Sequence, residues 1–83
     1  KMAQILDEKM ETYLHDCRLK MGESLKGIRE KKGYSQEQLA EIMQISRSTI
    51  SKIENGKFAI SIDYLVKFGK YLNFEVDFIE KQV

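Results

Sequence analysis

The sequence predicts an all-α domain, and three observations predict it. Apolar residues recur at steps of three and four along most of the chain. Serines at positions 35, 46 and 61 stand where helix N-caps are wanted, and Gly33, Asn55-Gly56 and Asn73 stand where helices need a left-handed or helix-terminating residue. Proline is absent, so these capping and stopping residues carry all the punctuation. With 83 residues, 42% hydrophobic and 33% charged, the chain can build one modest core and no more.

The first element is an amphipathic helix over about residues 3 to 20. Ala3, Leu6, Met10, Tyr13 and Cys17 form its stripe, and Ile5 and Leu14 widen it. That stripe has two readings: it enlarges the core of its own subunit, or it meets a partner. Met21, Leu25 and Ile28 continue the phase, and Gly22 is expected to break the run into two helices. The second helix stops at Lys31-Lys32-Gly33, where two cations oppose the negative dipole end and glycine takes the left-handed position.

Ser35 with Gln38 three residues later is a capping box for a short helix over about residues 36 to 43, with Leu39, Ala40, Ile42 and Met43 inward. Ser46 opens the next helix, whose Ile50 and Ile53 lie three apart and which ends at Asn55-Gly56. Ser61 caps a fifth helix, with Ile62, Leu65, Val66, Phe68, Tyr71 and Leu72 inward and Asn73 closing it. The tail from Phe74 to Phe78 alternates apolar and acidic residues and reads as a half-buried strand. A helical alternative also exists there, because Leu72, Val76, Ile79 and Val83 fall at steps of four, three and four. A lone strand has no pairing partner in a helical domain, so the strand reading requires a second subunit.

Net charge is only +1, but residues 22 to 60 hold seven Lys and Arg against five Glu, so the small excess lies mid-chain. The single cysteine, Cys17, excludes an intramolecular disulfide and points to a reducing, cytoplasmic setting. No apolar run approaches the roughly 20 residues of a membrane span, and residues 1 to 20 are too charged for a signal peptide. His15 and Cys17, two apart, would point to different faces of a helix and make a poor metal pair. Neither a phosphate-binding glycine loop nor a nucleophile–base pairing is present, so no enzyme, metal or cofactor is expected.

The two short helices across a tight turn place Leu39, Met43, Ile45, Ile50 and Ile53 where they must pack together, with small Ala40 at the crossing. The run Tyr34-Ser35-Gln36-Glu37-Gln38-Leu39-Ala40 with Ile45-Ser46-Arg47-Ser48-Thr49-Ile50-Ser51-Lys52-Ile53-Glu54-Asn55-Gly56 closely resembles the Cro/C1 repressor (XRE) helix-turn-helix family. The resemblance spans about residues 22 to 72 and implies a lambda-repressor-like helix-turn-helix bundle. Residues 1 to 21 are then an added N-terminal helix, and residues 73 to 83 a short C-terminal β-strand for dimerisation. One departure stands out: Gln44 occupies the turn position where the family usually has glycine, and a left-handed non-glycine residue there costs on the order of 1 kcal/mol.

The resemblance implies that Gln36 touches a phosphate and braces the start of the reading helix, that Arg47, Ser48 and Lys52 face base edges, and that Asn55 returns to the DNA backbone. The residue chemistry agrees independently. Arg47, Ser48, Thr49, Ser51 and Lys52 are cations and short donors opposite Ile50 and Ile53, and the helix N-terminus at Ser46 attracts phosphate. Arginine reads guanine through two acceptors, which makes Arg47 the main discriminator, and Lys57 grips phosphate. The expected function is a sequence-specific double-stranded DNA-binding regulator, a repressor acting as a homodimer on a palindromic operator, since one short helix alone makes too few contacts for tight binding. The rival is an antitoxin-type repressor with a toxin protein partner, because a leading helix and an acidic-apolar tail around the motif are similar to antitoxins of the HigA and HipB kind.

Overall fold

The computed structural model describes residues 1–82. Among these residues four helices follow one another: α1 (Met2–Lys31), α2 (Gln36–Met43), α3 (Arg47–Glu54) and α4 (Ile62–Leu72). The all-α class is the one expected, but the count is four helices and not five, because α1 runs without a break through Gly22. The reason is tertiary. A Cβ at position 22 would lie 2.5 Å from the carbonyl oxygens of both Ile53 and Glu54, so glycine is needed for α1 to touch the end of α3. That contact outweighs the roughly 1 kcal/mol that glycine costs inside a helix.

The stop after α1 follows its signals. Gly33 is left-handed at φ 84° and its N–H donates to the Glu30 carbonyl, with Arg29 and Lys31 in the last turn. Ser35, Ser46 and Ser61 each accept a hydrogen bond from the N–H three residues on, and the Gln38 carboxamide oxygen completes a capping box by accepting from the Ser35 N–H. These short helices are thus held at their starts by their own sequence.

Leu25, Leu39, Ala40, Ile50, Ile53, Phe68 and Leu72 form the buried core, with Leu39 and Ile50 wholly enclosed where α2 and α3 cross. Met43, Ile45, Phe58 and Phe74 pack around it half-buried. Tyr64 stands between Phe58 and Phe68, each ring centroid 6.3 Å from its own, which ties the loop before α4 to the core.

Three further expectations are corrected. Of the residues expected inward in α4, Phe68 and Leu72 are fully buried and Leu65 half so, whereas Ile62, Val66 and Tyr71 face outward. An eleven-residue helix on one side of a small core has only a narrow stripe to bury, and the apolar residues beyond it stay in solvent. The tail forms no strand among the described residues: Asn73 turns left-handed at φ 62°, the Phe74 N–H donates to the Gly69 carbonyl, and residues 75 to 82 have no regular structure. A single chain supplies no second strand for a ladder. Nor does the helical alternative hold over residues 74 to 82, and its last member, Val83, lies outside the described residues. Finally, the leading stripe of α1 does not enlarge the core, because residues 1 to 16 are all exposed and α1 buries only Gly22, Leu25 and Arg29. No helix among the described residues is long and apolar enough to cross a membrane.

Candidate nucleic-acid interface

The turn between α2 and α3 is made by Gln44, left-handed at φ 55° and ψ 45°, whose N–H donates to the Ala40 and Glu41 carbonyls. Ile45 follows, its N–H donating to the Ala40 carbonyl and its side chain half-buried, and Ser46 starts α3. The chain thereby reverses within three residues and lays α3 across α2. The glycine of the usual pattern is dispensable because a residue whose side chain points to solvent can hold the left-handed conformation at modest cost.

On α3, Ile50 and Ile53 are buried and Arg47, Ser48 and Lys52 are exposed on the opposite side. At about 100° per residue, these three and Asn55 share one half of the helix surface. The N–H of Thr49 is taken by the Ser46 hydroxyl at 3.1 Å, and the two hydroxyls lie 2.8 Å apart. Ser46 and Thr49 are therefore engaged in capping, and the amides of Arg47 and Ser48 are the open donors of the helix start. The Asn55 side chain donates to the Ser51 carbonyl at 2.8 Å and closes α3, and Ser51 is half-buried beside it. Lys57 is exposed just past the left-handed Gly56, on the loop leaving α3.

A helix-turn-helix family model matches residues 25–79, well over half of the chain. The chain belongs to the Cro/C1-type helix-turn-helix family. The helix-turn-helix protein is 38% identical over 60 residues to the SPbeta prophage-derived HTH-type transcriptional regulator YonR of Bacillus subtilis, covering 72% of this chain and 56% of that one. It is 41% identical over 46 residues to an HTH-type transcriptional regulatory protein of Pyrococcus furiosus, covering 55% of this chain and 15% of that one. The chain thus spans little more than half, or less, of the curated relatives it matches. Among solved structures, the restriction-modification controller protein C.AhdI from Aeromonas hydrophila superposes with a TM-score of 0.69 at 31% identity, covering 74% of this chain and 88% of that one. The family is one of DNA-binding transcriptional regulators.

Within this helix-turn-helix protein, the side chain of Gln36 has a place that the sequence did not reveal. Its amide donates to Glu54 at 2.9 Å and so braces the end of α3, not its start. Glu54 is the hub. It accepts two hydrogen bonds from the Arg29 guanidinium, at 2.6 Å from Nε and 3.1 Å from Nη2, and Arg29 donates a third to the Tyr34 carbonyl at 2.7 Å. Both residues are buried. The hydrogen bonds to Glu54 hold the Arg29 guanidinium above its ordinary pKa, against the burial that works to lower it. A cation whose folded pKa is raised contributes its stabilisation at every pH below its ordinary value, so Arg29 stays charged across the working range.

This buried fork joins α1, the α1–α2 loop, α2 and α3, and it sets where the outward face of α3 points. Sequence reading missed it because Arg29 and Glu54 are 25 positions apart and each looks like a surface charge. The usable signal was the pairing of a charge with the buried stripe: Arg29 lies one helical turn after Leu25 on the same face. On the surface, the Arg47 guanidinium lies 3.9 Å from the Glu37 carboxylate with both largely in solvent, a contact worth little and one that leaves Arg47 free to turn toward a ligand.

Proposed function

We propose that this regulator binds a palindromic operator as a homodimer, laying α3 of each subunit in the major groove, and that occupancy represses the gene it covers. The observation that carries the reading is the division of α3, with Ile50 and Ile53 locked into the core and Arg47, Ser48 and Lys52 free on the opposite face. Arg47 offers a planar fork to the two acceptors of guanine, worth about 1 to 3 kcal/mol of discrimination at one base pair. Ser48 and Lys52 meet neighbouring edges. The open amides at the start of α3 and the ammonium of Lys57 take phosphate, and at the end of α3 Asn55 and Gln36 keep a carboxamide oxygen and a second amide hydrogen for the DNA backbone.

A dimer supports tight binding because two reading helices about 34 to 36 Å apart match successive major-groove faces of one duplex. Repression is the direct consequence of a small domain covering its site. The exposed apolar stripe at the start of α1 favours a second reading, an antitoxin-type repressor whose leading helix holds a toxin. Copurification with the product of a neighbouring gene separates the two.

Selection of bound sequences from a random duplex pool tests the proposal. The expected result is a twofold-symmetric consensus with half-site centres one helical turn apart and a guanine in each half-site. Recovery of sequences with no shared pattern overturns it.

A further inference from the structure

The first half of α1 is a helix with nothing against it. Residues 1 to 16 are exposed, with Leu6 59%, Met10 56% and Tyr13 59% open to solvent. About four turns of helix without tertiary contact are marginal in water, and side chains of this kind are seldom left bare as a stripe. The stripe is Ala3, Leu6, Met10, Tyr13 and Cys17, spaced three, four, three and four, which is the seam spacing of a two-stranded coiled coil, with Ile5 and Leu14 beside it. At about 100° per residue, this seam lies about a third of a turn around α1 from Gly22, Leu25 and Arg29, which face α3 and the core.

We propose that residues 3 to 20 of α1 pair with the same segment of a second copy of this chain as a short antiparallel coiled coil. This rests on the homodimer reading above and assigns its interface. Charge decides the orientation. In a parallel pair Lys20 faces Lys20 of the partner subunit in the seam, and Lys9 flanks Leu14 of the partner subunit with no counter-charge. In the antiparallel register that sets Met10 against Tyr13 of the partner subunit, Leu6 meets Cys17 of the partner subunit. Lys9 then faces Asp16 of the partner subunit, and the twofold axis makes that ion pair twice.

On the core side of the seam lies a second apolar surface. Met21 lines an apolar groove of about 510 Å³ with Ile62, Val66, Val76 and Phe78, the outward residues of α4 and the tail. The helical overlap is roughly 27 Å long. That places the contact at the small end of specific interfaces, below about 1,200 Å².

Thiol cross-linking of the 83-residue chain tests the pairing. Leu6→Cys puts a thiol beside Cys17 of the partner subunit, so a short bismaleimide should give a covalent dimer, whereas the unsubstituted chain, whose two Cys17 sit far apart along the seam, should give none. Lys9→Glu should lower the Leu6→Cys cross-linking rate roughly threefold or more at low salt, and adding Asp16→Lys should restore it. Cross-linking through Cys17 alone, or indifference to Lys9→Glu, overturns the antiparallel register. A dimer by sedimentation that does not cross-link overturns this interface and leaves the dimer standing. A chain monomeric at about 100 µM, as a helix reserved for a different protein predicts, overturns both.

Discussion

Glu54→Ala is the most exacting test of how this fold holds its reading helix. The substitution removes the acceptor of three hydrogen bonds, two from Arg29 at 2.6 and 3.1 Å and one from Gln36 at 2.9 Å. It leaves the Arg29 guanidinium, only 6% exposed, with the Tyr34 carbonyl as its remaining partner. Stranding one member of a buried ion pair costs about 3 to 5 kcal/mol. At roughly 0.05 to 0.15 kcal/mol per residue, a domain of this length has on the order of 4 to 12 kcal/mol in all. Glu54→Ala should therefore lower the melting temperature by roughly 12 °C or more, followed by circular dichroism at the helix band, or abolish cooperative unfolding altogether. The paired substitution Arg29→Met with Glu54→Leu removes both charges and keeps the volume, and it should recover most of the loss. A loss under about 1 kcal/mol for Glu54→Ala, or a paired variant no better than the single one, would refute the reasoning that an isolated buried charge is what the structure avoids.

Three other predictions follow the same logic. Gly22→Ala places a Cβ 2.5 Å from two backbone carbonyls, so α1 must move off α3. Urea titration should show destabilisation of about 1 to 3 kcal/mol, despite alanine's better helix propensity. Gln44→Gly relieves a left-handed residue whose side chain is exposed, and should stabilise the domain by about 0.5 to 1 kcal/mol in the same titration. Lys57→Ala should weaken binding to all duplexes alike and reduce the slope of log affinity against log salt by about one, measured by fluorescence anisotropy across a salt series.

The parts legible from the amino-acid order were those whose signals are local. Ser35 with Gln38, Ser46 and Ser61 cap the helices they open, and Ile50 and Ile53 against Arg47, Ser48 and Lys52 declare which side of α3 is buried. What was not legible depends on distant neighbours. Gly22 looks like a break until the carbonyls of Ile53 and Glu54 arrive beside it, and Arg29 looks like a surface cation until Glu54 meets it. The tail has strand chemistry in Val76 and Phe78, yet alternation alone makes no strand without another edge to pair with. The leading stripe of α1 was equally open, because periodicity shows that a face is apolar and not what covers it.

The central claim is that the outward face of α3 reads base edges, and Arg47 tests it most directly. Affinity should be measured for the unsubstituted chain and for Arg47→Ala against a selected operator and every single-base-pair variant of one half-site. The account predicts that Arg47→Ala loses roughly 1 to 3 kcal/mol on the operator and becomes indifferent at one base pair, while preferences elsewhere stay as they were. An Arg47→Ala profile that keeps every preference would contradict it.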